Sequence, residues 1–507
     1  MIAVRLQSIT KRFGKVLAND SIDIDIKDRS IHAIIGENGA GKSTIMEILY
    51  GFYQADSGEI EIRGKKVHIA NPHIAIENGI GMVHQHFMLI PPMTVAENII
   101  LGVEEPKAGG ILQLAKAEKR IKELSDEYGL QIDPHAKVET LSVGLEQRVE
   151  ILKALYREVD ILILDEPTAV LTPLEVKEFF EILKKLRDQG KTIIIITHKL
   201  DEVLEISDEV TVMRHGKKVG EMQTKDATAE SLATMMVGRE VLLRLEKKPV
   251  QAGKTVLKVK DLCIDIDNSA KVKNVSFEIK EGEVLGIAGV EGNGQTELVE
   301  ALTGLCKVTS GSVWFMGEEI TNISARKMRE KFIAHIPANR KAHGYIASYS
   351  NAENKILGFH YKEPFCRTTG FLNFTAITEN AEKLVEEYDV RPRLIEIETS
   401  KLSGGNQQKL VVAREFSQNP KLIIVAQPTR GVDIGAIEFI HQHVLDLREK
   451  KIAIMLISAE LEEIRSLSDR TLVMYEGEVA GEVDADAFDI QKVGMMMTGQ
   501  KQPVGTV

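Results

Sequence analysis

Three segments of the chain recur once each, in the same order, about 255 residues apart. Ile31–Thr44 (IHAIIGENGAGKST) returns as Glu283–Glu297 (EVLGIAGVEGNGQTE). Leu141–Leu155 (LSVGLEQRVEILKAL) returns as Leu402–Phe416 (LSGGNQQKLVVAREF), and Asp160–Thr172 (DILILDEPTAVLT) as Lys421–Asp433 (KLIIVAQPTRGVD). Solenoid units run to roughly 50 residues, so a period this long has the size of a whole domain. The chain is therefore read as two tandem domains, 1–240 and 254–507. Between them, 241–253 (VLLRLEKKPVQAG) is charged, holds a Pro and a Gly, shows no strand alternation, and is read as the linker.

Inside each half, β-branched runs such as Ile31–Ile35, Ile161–Leu164 and Thr192–Thr197 alternate with helical stretches such as Leu174–Gln189. That alternation predicts an α/β fold with a mostly parallel sheet covered on both faces. The opening runs Ala3–Leu6 and Ser21–Ile26 alternate apolar with polar residues, as an antiparallel flap would.

Lys and Arg total 64 against 75 Asp and Glu, a net charge of −11 that argues against a broad nucleic-acid footprint. No apolar run approaches the roughly 18 residues of a membrane span, and the N-terminus lacks the apolar core of a signal peptide. The three cysteines form no C-x-x-C pair. The expectation is a reduced, cytosolic chain without disulfides or a cysteine metal site.

The first half carries a complete phosphate motif. Gly36-Glu37-Asn38-Gly39-Ala40-Gly41-Lys42-Ser43 matches G-x-x-x-x-G-K-[ST] between a strand and the helical run that starts at Thr44. Glycines let successive N–H groups turn toward phosphate oxygens, and the helix N-terminus adds partial positive charge. Lys42 would reach the β- and γ-phosphates, and Ser43 would sit on Mg²⁺. At the end of ILILD, Asp165 suits a Mg²⁺ shell and Glu166 suits the base that polarises an attacking water. Two carboxylates capping a buried strand are costly unless a cation or water shares them. His198, after TIIIIT, ends another strand where a γ-phosphate could be met.

Together these motifs resemble the nucleotide-binding domain of ABC transporters. The resemblance spans essentially the whole chain, and the LSVGLEQ signature in order with both Walker motifs is highly specific. It implies two tandem ABC ATPase domains, each a RecA-like P-loop core with an antiparallel β subdomain and a helical signature subdomain. It also implies roles: Gln85 as the Q-loop residue contacting ATP and Mg²⁺, Phe13 as the adenine stack, Glu166 as catalytic base and His198 as the switch residue. The fused pair is most similar to the ATP-binding subunits of sugar- and nucleoside-type importers, and Gly79–Gly102 to the nucleoside, basic-membrane-lipoprotein-linked branch. A sugar importer of the ribose or galactose type is the alternative. Such a chain would sit on the cytoplasmic face of the membrane beneath two permease subunits, supplied by an extracytoplasmic lipoprotein or binding protein. The apolar run His86–Pro92 is the expected docking surface.

The second half departs from this pattern where the chemistry lies. Gln295 stands for Lys42, Ala338 for Gln85, Ala426 for Asp165, Gln427 for Glu166, Ala459 for His198 and Ile266 for Phe13. Losing the lysine alone removes a charge-assisted bond of about 1.5–3 kcal/mol. Gly289, Gly292, Gly294 and Thr296 persist, so a degenerate loop that still holds nucleotide and a relic that does not are both open. In the family each ATP lies between one domain's Walker A loop and the other's signature. The complete first-half loop would then meet Ser403, Gly404 and Gly405. The stripped loop would meet Ser142 and Gly144 of the altered LSVGLEQ, where Val143 replaces a glycine, and the loop after Walker B keeps Asp433 in the second half against Thr172 in the first. The sequence thus implies one hydrolytic site per chain. A tandem ABC protein acting on ribosomes would carry two catalytic glutamates and a long charged linker, neither of which is found.

Overall fold

A strand that lies between neighbours and under helices on both faces has no polar side to show. Ile31–Gly36 fits that place, buried along its whole length. In the computed structural model, which describes residues 1–84, 87–104, 113–168, 171, 173–240, 247–267, 269–290, 292–497 and 499, the chain divides into two units, Met1–Leu243 and Arg244–Val507. Gln85, His86 and Thr172 lie outside the described residues.

In the first unit the strand order is Lys217–Gln223, Glu209–Arg214, Ile31–Gly36, Thr192–Thr197, Ile161–Asp165, Ile80–Val83. Neighbours are parallel except the first pair. The second unit repeats the order with Glu478–Asp484, Arg470–Tyr475, Val284–Ala288, Ala453–Ser458, Leu422–Ala426 and Ile333–Ile336. Each unit also has a four-stranded antiparallel sheet, built on the long hairpins Ile2–Phe13/Val16–Lys27 and Thr255–Ile266/Ser269–Lys280. These are RecA-like P-loop cores with antiparallel β subdomains.

A helical layer completes each unit: Val95–Ile100, Leu114–Tyr128 and Val143–Tyr156 in the first, Asn351–Lys355, Phe374–Glu387 and Gly404–Phe416 in the second. The short opening helices share a capping box, Thr94 with Glu97 and Ser350 with Glu353, in which each side chain bonds the other's amide. In the first unit, one apolar core joins these helices to one face of the sheet, and another joins the β subdomain to the opposite face.

The charged stretch that opens the second unit is bonded to the rest of it. Lys247 donates to the Ser468 carbonyl at 2.6 Å and pairs with Asp469 at 3.2 Å. Arg448 donates to the Lys248 carbonyl at 2.7 Å and Lys451 to that of Gln251 at 2.5 Å. Among the described residues, no helix is long and apolar enough to cross a membrane.

Candidate active site

Parallel strands deliver their C-terminal ends to one edge of the sheet, where open α/β folds bind ligands. In the first unit that edge gathers the loop after Gly36, Asp165, Glu166 and His198. Gly36 and Gly41 are required by space: a Cβ would collide with the Met213 carbonyl oxygen at the first and that of Ala18 at the second. Gly39 and Gly41 also take φ of 82° and 96°, a left-handed conformation that suits glycine. Asn38 and Gly39 form the exposed tip, and the helix Lys42–Tyr50 begins directly behind, with Ser43 and Thr44 in its first turn.

Lys42 is buried, its ammonium donating to the carbonyls of Gly36 at 2.8 Å and Glu37 at 3.0 Å. Burial pulls its pKa down, and Glu166, Asp165 and Glu37 pull the other way. The Ser43 hydroxyl lies beside the Asp165 carboxylate and favours its charged form. Burial and the neighbouring Glu166 push the Asp165 pKa up, the environment of a carboxylate that gains from a cation. Glu166 holds a left-handed φ of 47°, with its amide bonded to the Ile196 carbonyl at 2.9 Å. His198 Nδ1 lies 2.9 Å from Glu166 Oε1, and this hydrogen bond is the main reason the Glu166 pKa falls below its ordinary value. Glu166 is therefore an ionised carboxylate oriented by an imidazole, the arrangement of an oriented general base.

Phe13 ends the first strand of the β hairpin, 40% exposed, with its ring edge-to-face against Tyr53 at 5.0 Å. Tyr53 was not singled out by the sequence; YGFYQ after the helix was the available signal. Beyond the sensor position, Met88 and Ile90 are exposed, Leu89 packs on the core, and the Met88 amide donates to buried Glu150 at 2.8 Å.

The second unit preserves the backbone of this site without its charges. Gly292 and Gly294 take φ of 96° and 95°. Gln295 turns onto the Val290 carbonyl at 3.3 Å, and Thr296 is exposed in the helix behind it. Gln427 repeats the left-handed φ, at 46°, and its amide bonds the Ile457 carbonyl at 2.7 Å. Its side chain accepts from the Ala459 amide at 3.3 Å, where Glu166 has a histidine ring. Ile266 sits at the hairpin end opposite Ser269 and packs toward the core.

The signatures differ too. Ser403 caps its helix, its hydroxyl accepting from the Asn406 amide at 3.4 Å and side chain at 2.9 Å. Ser142 makes no side-chain cap, and Leu145, which stands where Asn406 would be, has no side-chain amide to offer its hydroxyl. Asn406 thus orients Ser403, a role the sequence reading missed. A Cβ on Gly404 would lie 2.6 Å from the Arg340 guanidinium, and one on Gly405 2.5 Å from the Asp433 carboxylate. At Gly144 the close neighbour is Glu175, 2.7 Å from such a Cβ.

Known proteins place this geometry. The family described as ABC transporter matches residues 19–169 and again 272–430. The nucleoside import ATP-binding protein NupA of Lactococcus lactis is 48% identical over 98% of both chains. The guanosine import ATP-binding protein NupO of Bacillus subtilis is likewise 48% identical over 98% of both. The glucose import ATP-binding protein TsgD13 of Haloferax volcanii is 45% identical over 98% of this chain and 96% of its own. Among solved structures, the archaeal ribosome recycling factor aABCE1, crystallised with the stalk protein aP1, shares the fold at 20% identity, with a TM-score of 0.63 over 94% of this chain and 90% of that one. The chain belongs to the ABC transporter family, as an ATPase built from two tandem domains of that family.

Proposed function

We propose that this ATPase drives import of nucleosides, hydrolysing ATP at one site built from the first unit's Walker residues and the second unit's signature. The observation that carries the reading is the matched asymmetry of the halves. Lys42, Asp165 and the Glu166–His198 pair stand where the second unit has Gln295, Ala426, Gln427 and Ala459. The capped Ser403 with Gly404 and Gly405 belongs to the half without that chemistry. Lys42, Gly41 and Ser43 would hold the phosphates, Phe13 with Tyr53 the adenine, and Ser403 the γ-phosphate.

Oxygen donors suit Mg²⁺, and Ser43 and Asp165 meet as such a pair. When bound, Mg²⁺ would supply positive charge against the phosphates, with Gln85 as a further expected ligand. Glu166 would take the proton of the attacking water. The degenerate loop around Gly289, Gly292 and Gly294, faced by Ser142 and Gly144, would turn nothing over.

In this reading the chain would sit on the cytoplasmic face of the membrane, under two permeases fed by a solute-binding lipoprotein or protein. The first docking surface would include Phe87, Met88 and Ile90. Nucleosides rest on the two relatives at 48% identity; the glucose-importing relative at 45% keeps sugar as the second reading. Proteoliposomes holding the assembled transporter separate them: ATP-dependent uptake of labelled guanosine or adenosine is expected, and uptake of glucose or ribose without nucleoside would replace the assignment.

A further inference from the structure

In the second unit, the loop after the strand Ile333–Ile336 corresponds in sequence to the segment after Ile80–Val83, with Ala338 in the place of Gln85 and Arg340 in that of Phe87. Asn339 caps a tight helical turn at Arg340–Gly344 by accepting from the Ala342 amide at 3.1 Å. From this anchored turn the Arg340 guanidinium crosses to another loop. Nη1 donates to the Arg430 carbonyl at 2.6 Å and Nη2 to the Gly431 carbonyl at 3.1 Å. Those carbonyls lie between Gln427 and Asp433, the residue whose carboxylate caps the helix Ile434–Glu449 and lies against Gly405. The same Nη2 lies so close to Gly404 that any side chain there would strike it.

One planar, two-pronged side chain therefore ties the loop after Ile336 to the loop before Asp433 and lies against the start of the signature helix. A fork that fills two carbonyls at once fixes orientation in a way a single ammonium does not. Phe87 offers the first unit no such donor, and its signature is the altered one.

We propose that Arg340 is a positioning residue for ATP hydrolysis. It holds the Ser403–Gly405 turn and the Asp433 loop in one rigid arrangement, so that Ser403 meets the γ-phosphate when the site closes. This rests on the reading of the second unit's signature as the cover of the working site. Because ADP lacks the γ-phosphate, a loosened cover penalises ATP and spares ADP.

The assembled transporter gives the test. Arg340→Ala should lower turnover about tenfold, and Arg340→Lys should recover less than about half of the loss. In a Glu166→Gln background, which stops hydrolysis, Arg340→Ala should weaken ATP binding about tenfold and leave ADP within roughly twofold. A thermal melt of each variant checks that the fold is kept. Unchanged turnover, equal weakening of ATP and ADP, or full recovery by lysine would overturn the proposal. Ser403→Glu serves as the reference: loss there with none at Arg340 removes this inference alone, and no loss at Ser403 removes the underlying reading.

Discussion

Glu166 and Gln427 occupy the same left-handed corner at the end of the same strand, at φ of 47° and 46°. One carboxylate meets an imidazole, and the other side chain, an amide, meets a backbone N–H. The phosphate loops behave alike: both keep two glycines at positive φ, while a lysine on two carbonyls is exchanged for a glutamine on one. The difference teaches that the fold depends on the backbone geometry of this edge and not on its charges. Gln295 and Gln427, the two neutral amides that stand in for charges, each found a local partner, and Ala426 needs none, so nothing in the scaffold forces the second site to keep its chemistry.

The comparison is broken most severely at Glu166. Glu166→Gln makes the first corner resemble the second, and turnover should fall by about a hundredfold or more with ATP binding retained. Steady-state hydrolysis together with nucleotide binding measures both; near-normal turnover would remove Glu166 from its role.

A smaller effect is expected at His198. His198→Ala should slow turnover roughly tenfold through loss of orientation. It also removes the hydrogen bond that is the largest cause lowering the Glu166 pKa, leaving burial, which raises it, against the lesser pull of Lys42 and Lys199. The acid limb of the kcat profile should therefore move to higher pH, and a limb that stays in place or moves down would contradict the pairing.

The smallest change concerns stability. Matching short helices carry Ile99 in the first unit and Lys355 in the second, both fully buried. The Lys355 ammonium has no hydrogen-bond partner among the described residues, and burial brings its pKa from 10.5 down to about 7. The unfolded chain thus binds more protons between about pH 7 and 10.5, so stability rises with pH through that window and the penalty is fully present below it. Lys355→Met should raise Tm by about 3 °C or more at pH 7 and by less at pH 9. A gain that grows with pH would show the lysine to be accommodated in another way.

The duplication and the two periodicities made the sheet, its flaps and the edge carrying Lys42, Asp165, Glu166 and His198 readable in advance, because strand ends and glycine loops are local signals. Tyr53, Asn406 and Arg340 were not readable that way. Tyr53 and Arg340 matter through neighbours distant in sequence, Phe13 across the β subdomain and two carbonyls about 90 residues on; Asn406 bonds Ser403 three residues before it, and only the leucine at its place in the other half sets it apart. Lys355 runs against the rule that lysines stay at the surface, and only the packing around its helix reveals it. The stretch 241–253 read as a linker because it is charged, holds a Pro and a Gly and shows no strand alternation; the partners of Lys247 and Lys248 lie some 200 residues later.

In the proposed function one ATP is hydrolysed per chain, with Lys42 and Ser403 both required. Introducing glutamate at each signature serine in turn, and assaying ATPase activity with permeases present, addresses it directly. A carboxylate against phosphate in a dry interface is strongly unfavourable. Ser403→Glu should therefore abolish turnover as completely as Lys42→Ala, while Ser142→Glu should stay within about threefold of the parent. Equal losses from Ser142→Glu and Ser403→Glu would mean that both sites serve the cycle, and the one-site account would fail.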